Sequence, residues 1–441
     1  MRILLIFLIF IVTQGCSFDK KSGIWKNETN ITNKEKDDFQ QFKNITTSNT
    51  FFKKEIKIKK NFNFILPSLY DNSEWKDIFF NQSNNSKNFK YSNLNRKSFH
   101  SKKITKNKVD NYILFENDNI ISTDQSGNIN IYSLIEKKNI YKFNFYKNRF
   151  KKNVKKLNVI VENSIIYASD NLGYLYSLNY KEKKILWAKN FKIPFRSNLK
   201  IFENKLILSD QNNQLFYINK NNGNILKIIP TEETTVKNKF INNISLNDNS
   251  TFFLNTFGSL YSIDNRSTRI NWFINLNQAS DINPTNLFLG NKLISTNNKI
   301  IVTSNYFTYV IDSNTGEIIY KKNFSSKIKP ILIDNYLFLI SKNDFLICFD
   351  LATNEIIYSY DINKKISEFL EISKKQAEFK NIFMINNQLF IFLKNSNVLI
   401  FKINGDLEKI IKLPIKLNSQ PILVEETMIY LDFKNKIAIV N

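Results

Sequence analysis

A short apolar run that ends in one fixed register recurs eight times in this chain. The clearest copy is Gly173-Tyr-Leu-Tyr-Ser-Leu-Asn179, and Trp187 follows eight residues after Asn179. The polar residues that close the eight runs, which we call anchors, are Ser133, Asn179, Asn219, Asp264, Asp312, Asp350, Lys402 and Asn441. Seven of the eight residues that stand six positions before an anchor are turn formers, and successive anchors lie 38 to 52 residues apart. A constant hairpin between loops of variable length is typical of a blade repeat.

Each repeat contains short apolar runs separated by turn residues, which favours strands over helices. The second repeat divides into Leu157–Glu162, Ser164–Ser169, Tyr174–Leu178 and Ile185–Lys189. Four strands in about 44 residues match one blade of a β-propeller. Residues 92–441 have room for eight such blades. We therefore predict an all-β fold, an eight-bladed β-propeller of four-stranded antiparallel blades.

The last repeat predicts how the ring closes. Asn441 is itself the eighth anchor, so this repeat contains only three strands. A ring with a missing strand would expose a sheet edge. We expect Lys97–Ile104 to supply the fourth strand, so that the N- and C-terminal strands share one blade.

The amino terminus has the pattern of a secretory signal. Met1-Arg2 precedes an apolar run over residues 3–12, which is too short for a membrane-spanning helix of about 20 residues. Gly15-Cys16 resembles the lipobox of bacterial lipoproteins, although Thr13 stands where Leu is usual. The resemblance implies a signal peptide over 1–15 and lipid attachment at Cys16. A secreted chain without lipid is the alternative.

The residues after Cys16 predict where the chain is held. Ser17, rather than Asp, resembles the sorting signal for the outer membrane, on its periplasmic face. Residues 16–60 are rich in Lys and Asn and predict a lipid-anchored flexible linker. Residues 61–91 contain apolar patches, and we expect an N-terminal extension that packs on the outside or bottom of the propeller at 92–441.

The chain is strongly basic, with 63 Lys and Arg against 39 Asp and Glu and a formal net charge of +24. One interpretation is attraction to nucleic acid or to an anionic membrane surface. The other is a general bias of composition, since Lys, Asn, Ile and Phe are abundant throughout. The Lys residues form no stripe with aromatic residues, so we expect no nucleic-acid partner.

No catalytic or metal-binding constellation stands out. His100 is the sole histidine, which excludes a site with several histidine ligands. Cys348 lies in an apolar run far from Cys16, which is typical of a buried, inert thiol. Asp residues recur nine positions before anchors, which indicates a role in turns: Asp124, Asp170, Asp210 and Asp432. We predict a protein that is not an enzyme, with no catalytic residue, no metal and no cofactor.

One insert departs from the strand pattern. Residues 363–380, between the sixth and seventh repeats, place apolar residues at helical spacing. A surface loop with one or two helical turns is one interpretation, and a docking element is the other.

The second repeat carries a family resemblance. Ala168, Asp170, Gly173, Asn179 and Trp187 resemble the motif of the pyrroloquinoline-quinone-type propeller repeat. Together with the lipoprotein signal, the eight repeats resemble the BamB family, the propeller lipoproteins of the outer-membrane β-barrel assembly complex (BAM complex). The resemblance implies a non-enzymatic scaffold that binds the barrel-forming, BamA-like assembly protein and helps to present unfolded outer-membrane proteins.

The loop Ile193-Pro-Phe-Arg-Ser-Asn198 resembles an inter-blade loop with which that family contacts its barrel-forming partner. The resemblance implies that Phe195 and Arg196 bind the partner, and an ordinary loop with a solvated Arg is the alternative. Two other functions stay open. A degenerate quinoprotein dehydrogenase would share the repeat, although the adjacent Cys pair of many members is missing, and a periplasmic ligand-binding propeller would share the fold.

Overall fold

The structure is a computed structural model that describes most of the chain from residue 52 onward. It gives the backbone alone of residues 16–18 and 25–27, and it describes in full residues 52–146, 150–233, 242–277, 288, 290, 293–304 and 306–441. The chain forms two compact units, Met1–Thr50 and Phe51–Asn441. In the first unit, β1 (Cys16–Phe18) pairs antiparallel with β2 (Trp25–Asn27). The predicted signal peptide over 1–15 lies outside the described residues.

The described residues of the second unit form eight blades of four antiparallel strands, as predicted. Before the first blade come β3 (Asn88–Phe89) and β4 (Lys97–Lys103). Blade 1 contains β5 (Val109–Glu116), β6 (Asn119–Asp124), β7 (Asn128–Ser133) and β8 (Lys138–Asn144). Blade 2 contains β9 (Leu157–Glu162), β10 (Ile165–Asp170), β11 (Tyr174–Asn179) and β12 (Lys184–Asn190). Blade 3 contains β13 (Lys200–Phe202), β14 (Lys205–Ser209), β15 (Leu215–Asn219) and β16 (Ile225–Ile229). Blade 4 contains β17 (Asn243–Leu246), β18 (Ser250–Leu254), β19 (Ser259–Asp264) and β20 (Ile270–Asn275).

Blade 5 contains β21 (Ile294–Ser295), β22 (Lys299–Thr303), β23 (Thr308–Asp312) and β24 (Ile318–Lys322). Blade 6 contains β25 (Ile331–Ile333), β26 (Tyr336–Ile340), β27 (Phe345–Asp350) and β28 (Glu355–Asp361). Blade 7 contains β29 (Phe379–Ile385), β30 (Gln388–Leu393), β31 (Asn397–Lys402) and β32 (Leu407–Lys412), and β3 adds to its first strand. Blade 8 contains β33 (Ile422–Val424), β34 (Thr427–Leu431), β35 (Lys436–Val440) and β4.

The strands of a blade differ in burial according to their position. All residues of β6, β7 and β27 are buried, because both faces of these strands pack against neighbouring blades. The fourth strand lies at the outer edge, and in β12 Trp187 alone is buried. This is why the inner strands appear in the sequence as nearly continuous runs of apolar and small residues.

The recurring Asp residues hold the turn between the second and third strands. Asp170 Oδ1 accepts hydrogen bonds from the N–H groups two and four positions later, both at 2.8 Å. Asp124, Asp210 and Asp432 accept the same pair of bonds. A carboxylate suits this place because it satisfies turn N–H groups that lack a strand partner. The structural role inferred for these residues is confirmed.

Aromatic residues of the fourth strand join several blades to the next, although the fourth strands of blades 3 and 7 contain no aromatic residue. Trp187 Nε1 donates to Lys220 O of blade 3 at 2.8 Å, and its ring covers Gly223. Gly223 has φ +73°, and a Cβ there would lie 2.5 Å from the Trp187 ring, so a larger residue would displace the ring. Trp272 covers Gly316 of blade 5 in the same way.

Blade 8 closes the ring with strands from both ends of the unit. β35 pairs antiparallel with β4, and Ala438 stands opposite His100. The closing strand predicted over Lys97–Ile104 is confirmed and ends one residue earlier. His100 Nε2 lies 2.9 Å from Asp432 Oδ2, so the sole histidine joins the two ends of the unit rather than a reactive site.

The insert between blades 6 and 7 forms helix α1 (Ile362–Leu370). Asp361 caps it, since its side chain accepts a hydrogen bond from Lys364 N. Ile362 and Asn363 are buried, whereas residues 368–376 are exposed. The described part of the chain has no helix that is long and apolar enough to cross a membrane.

Candidate functional site

The axis of the ring is filled by residues 70–91, which we call the channel segment. The first strands of the blades surround this axis, and neighbouring first strands such as β13 and β17 contact each other. The channel segment bonds to the first strand of every blade, in order from blade 8 round to blade 7. The sequence placed residues 61–91 on the outside or bottom of the propeller, and the structure corrects this for 70–91.

Most of these contacts use backbone and amide groups. Asn72 Nδ2 donates to Leu423 O of blade 8 at 2.7 Å, and Trp75 exchanges two backbone hydrogen bonds with Phe115 of blade 1. Asp77 then contacts Ile160 of blade 2 and Lys200 of blade 3. The backbone of Gln82 bonds to Leu246 of blade 4, and that of Ser83 bonds to Ser295 of blade 5. Asn85 bonds to Leu332 of blade 6, and β3 pairs parallel with β29 of blade 7. One segment thus connects all eight blades at the centre.

A buried ion pair fixes the channel segment to blade 3. Lys200 Nζ lies 2.6 Å from Asp77 Oδ2 and donates to Asn81 O at 2.7 Å. The Lys200 side chain is 0% exposed and that of Asp77 is 5% exposed. Burial lowers the pKa of Lys200, and the neighbouring Asp77 carboxylate opposes this change. The ammonium is therefore held in the core by its carboxylate and carbonyl partners.

The channel segment also carries an apolar cluster. The Trp75 ring centroid lies 4.8 Å from that of Phe80, 5.7 Å from that of Phe89 and 6.1 Å from that of Phe383 in blade 7. Trp75 is 4% exposed and Phe89 is 0% exposed. At this level the axis is packed with side chains of the chain itself.

The second candidate region is the loop over residues 193–198, which we call the rim loop. It joins blade 2 to blade 3. Phe195 is 2% exposed, and its ring packs on Phe191 and Phe216 with centroids 5.1 and 6.1 Å away. Phe195 N donates to Asp170 O at 3.0 Å. The Phe195 ring therefore supports the rim loop from below and does not face solvent.

Arg196 lies in a backbone held on both sides. Its N–H donates to Ser209 O at 3.0 Å, and its carbonyl accepts from Asn242 N at 2.8 Å. Nη1 of the guanidinium is buried and has no hydrogen-bond partner among the described residues. Burial lowers the pKa of Arg196. A guanidinium with a free donor is suited to binding a carboxylate or a carbonyl oxygen.

Two more polar atoms next to the rim loop lack a partner within the described part of the chain. They are Asp210 Oδ2 and Asn242 Oδ1. Asp210 forms an isolated bridge with Phe195 and is 0% exposed, and burial raises the pKa of its carboxyl to about 6. Asn242 Nδ2 donates to Ser209 Oγ at 2.9 Å and to Asp210 O at 3.1 Å. The rim loop is therefore surrounded by unpaired buried groups, unlike the channel segment at Lys200.

The structure brings only some of the predicted site residues together. Phe195 and Arg196 are adjacent, but the burial of Phe195 argues against a direct contact of its ring with a partner. The side chain of Cys16 lies outside the described residues, so its lipid attachment stays a prediction. Sequence reasoning missed Asp210 and Asn242 as neighbours of Arg196, because Asp210 was accounted for as a turn residue.

Comparison with known proteins agrees with this architecture. A family model described as outer membrane protein assembly factor BamB matches residues 146–360. The propeller is BamB-like. The matched range contains the rim loop and blades 2 to 6. A search of curated proteins finds no match.

Solved structures with this fold have diverse functions. BamB from Moraxella catarrhalis is 13% identical, with 77% of this chain and 99% of that chain covered and a TM-score of 0.59. The quinohemoprotein alcohol dehydrogenase ADHIIG from Pseudomonas putida HK5 is 8% identical, with 84% and 80% covered and a TM-score of 0.61. The computationally designed Ika8 protein is 9% identical, with 78% and 99% covered and a TM-score of 0.58. At these identities the likeness shows the fold alone.

The residues at the axis do not fit a bound quinone with its metal ion. The channel segment occupies the central space that a propeller offers to a ligand. Among the described residues, no group of three or more His, Cys, Asp or Glu side chains could hold a metal ion. Cys348 is buried in β27, and burial raises the pKa of its thiol well above the usual value.

Proposed function

We propose that the protein is a non-enzymatic scaffold lipoprotein of the outer-membrane β-barrel assembly complex. In this proposal lipid on Cys16 holds the chain on the periplasmic face of the outer membrane. The ring binds the barrel-forming, BamA-like assembly protein and helps to present unfolded outer-membrane proteins. The BamB-like repeats support the proposal, and they suggest an outer-membrane-associated, periplasmic location.

The observation that carries the proposal is the free donor of Arg196. A buried polar group without a partner costs roughly 1–3 kcal/mol, and more when it is charged. A partner that supplies a carboxylate would remove this cost on binding. Since backbone hydrogen bonds already hold Arg196, only its side chain would have to be ordered on binding.

Co-purification tests the proposal. The tagged chain is isolated from detergent-solubilised envelopes of its source cells, and the barrel-forming assembly protein is measured in the eluate. We expect recovery with the parent chain, reduced recovery with Arg196→Ala and unchanged recovery with Arg266→Ala, which removes an exposed Arg of blade 4. Absence of the assembly protein from the parent eluate would count against the scaffold function.

An enzymatic alternative and a ligand-binding alternative each have a simple test. The fold shared with quinohemoprotein dehydrogenases makes dye reduction after addition of quinone and calcium the relevant assay. Turnover there would overturn the scaffold proposal. A ligand-binding propeller would instead show saturable binding of a small molecule that Arg196→Ala does not affect.

A further inference from the structure

The turns that join the first strand of each blade to the second have a charge opposite to that of the chain. We call them the inner turns, and they are residues 117–118, 163–164, 203–204, 247–249, 296–298, 334–335, 386–387 and 425–426. They contain no Lys or Arg, although the whole chain has 63 of these residues against 39 Asp and Glu. Their carboxylates are Asp118, Glu203, Asp248, Asp334, Glu425 and Glu426.

The inner turns surround the axis on one face of the ring. In an antiparallel blade, the turns after the first and third strands lie on one face, and the connection to the next blade lies on the other. The rim loop is such a connection, so Arg196 lies on the face opposite to the inner turns. The turns after the third strands, which we call the outer turns, lie farther from the axis and contain Lys and Arg as well as Glu.

Backbone geometry does not account for the charge of the inner turns. Left-handed backbone favours Asn and Asp, but it does not favour Glu. Glu203, Glu425 and Glu426 nevertheless have φ of 50°, 49° and 57°. Lys137 and Lys183 of the outer turns have φ of 53° and 57°, so Lys fits this backbone as well. The Glu residues therefore call for an explanation other than turn geometry.

Inner-turn carboxylates line a cavity of about 570 Å³, which we call the acidic cavity. Glu425 and Glu426 line it from blade 8, and Asp71 lines it from the channel segment. Glu426 forms an ion pair with Lys90 at 2.6 Å, whereas Glu425 and Asp71 are exposed and have no ion pair within the described chain. Asn441 also lines the cavity, and its buried Oδ1 has no partner among the described residues. The acidic cavity thus has a surplus of negative charge and an unused acceptor.

A second cavity, of about 390 Å³, has different walls. Tyr70 and Leu332 line it with apolar surface, and Tyr70 directly precedes Asp71 of the acidic cavity. Ser86 lines it too, is 2% exposed and has a hydroxyl without a partner in the described part of the chain. Apolar walls with a few polar groups are typical of a ligand site. Since Lys87 also lines this cavity, a cation suits the acidic cavity better.

We propose that the inner turns are a docking surface for an extended protein segment in which a Lys or Arg lies next to an apolar residue. The basic group occupies the acidic cavity, and the apolar side chain occupies the second cavity. Charge complementarity favours a basic segment at this place, although the net charge of +24 repels it elsewhere. A metal ion is a poorer occupant, because no group of three or more His, Cys, Asp or Glu side chains in the described chain could hold one.

Fluorescence anisotropy of labelled peptides tests this docking in the full chain. The probe is a ten-residue peptide of alternating Leu and Lys, and a peptide of alternating Ser and Lys is the comparison. We expect the Leu–Lys peptide to bind the parent chain more tightly than the Ser–Lys peptide does. Glu425→Gln combined with Glu426→Gln should weaken binding of the Leu–Lys peptide about tenfold, because charge-assisted hydrogen bonds are lost.

The matched control combines Glu136→Gln with Glu317→Gln. Both residues are exposed in outer turns, and Glu136 is paired with Lys138 at 2.9 Å much as Glu426 is paired with Lys90. This control should bind the Leu–Lys peptide as the parent does. Circular dichroism of every variant checks that the ring is folded.

The outcomes separate this surface from the rim loop. Unchanged peptide affinity in Arg196→Ala supports docking on the inner turns, whatever the co-purification shows for the assembly protein. Loss of affinity in that variant would place the peptide at the rim loop and overturn the proposal. Equal affinity of the parent and the Glu425 and Glu426 variant, equal affinity for the two peptides, or no binding at all would also overturn it. Self-association of the parent in sedimentation that this variant abolishes would assign the surface to a second copy instead.

Discussion

Two cations of this ring, the buried Lys200 and the half-buried Arg196, have opposite surroundings. At the axis, Lys200 is fully buried, and both Asp77 Oδ2 and Asn81 O accept its hydrogen bonds. At the rim, Arg196 Nη1 is buried without a partner among the described residues, and so is the carboxylate oxygen Oδ2 of Asp210. The Lys200 site at the axis is fully paired, although Asn84 Oδ1 and Ser86 Oγ of the channel segment also lack a partner within the described chain. The rim loop differs because the groups without a partner there include a cation and a carboxyl oxygen. Stability should therefore depend on the axis, and binding on the rim.

The largest expected effect comes from Asp77→Ala. This change leaves Lys200 as a buried charge without its carboxylate, which costs about 3–5 kcal/mol of unfolding free energy. Urea denaturation followed by circular dichroism measures it. Glu355→Ala is the matched control, because it removes an exposed partner of Lys59 and should cost less than about 1 kcal/mol. Equal losses in the two variants would show that the axis has no special weight.

Asn84→Ala tests the hydrogen bonds of the channel segment. Asn84 Nδ2 donates to Ile244 O of blade 4 at 2.8 Å and to Leu293 O, just before blade 5, at 2.9 Å. Removing it leaves two buried carbonyl groups without this donor, and we expect a loss of about 1–3 kcal/mol in the same assay. Asn93→Ala is the control, because Asn93 is exposed and has a similar positive φ of 56°, against 58° at Asn84. A similar loss in both variants would assign the effect to backbone strain.

Asp210→Asn tests the rim through pH. Burial raises the pKa of Asp210 from 3.8 to about 6, so the folded state binds its proton more tightly than the unfolded state does. The contribution of this protonated carboxyl to the unfolding free energy is full below about pH 4 and is lost as the pH rises through about 6. The Asn variant keeps the Oδ1 acceptor but has no charge. Its unfolding free energy relative to that of the parent should therefore increase as the pH rises from about 4 to about 6.

Thermal melts of both proteins from below pH 4 to above pH 6 give this difference directly. Asp110, whose pKa burial also raises to about 6, is present in both proteins and cancels. Asp334→Asn is the control, since this carboxylate is exposed. A relative stability of Asp210→Asn that stays constant with pH would show that this carboxylate does not titrate as its burial implies.

The smallest expected effect on stability comes from Arg196→Ala. Since Nη1 has no partner among the described residues, the change breaks no hydrogen bond there and removes the cost of an unpaired group, so any loss of unfolding free energy should stay below about 0.5 kcal/mol. Partner recovery in the co-purification should nevertheless fall. A stability loss as large as that of Asp77→Ala would make Arg196 a structural residue and remove the contrast between rim and axis.

The register of the anchors was sufficient to predict eight blades and the closing strand near His100. These features follow from side-chain patterns, since strands that are buried in a ring must repeat their apolar runs and turn residues. The channel segment could not be predicted in this way. Its Asn72, Gln82 and Ser83 bond mainly to backbone groups, and a backbone group leaves no signature in the sequence. The burial of Phe195 was missed because a motif match gives a position but not its exposure.

The channel segment also has a consequence for the order in which the chain can fold. Asn72 needs Leu423, and β4 needs β35, so residues made early find their partners only after nearly the whole unit has been synthesised. Contacts separated by more than 300 residues form slowly, because loop closure is entropically costly and must precede them. The ring is thus completed only when its last blade is available, and until then the earlier blades lack their central and closing contacts.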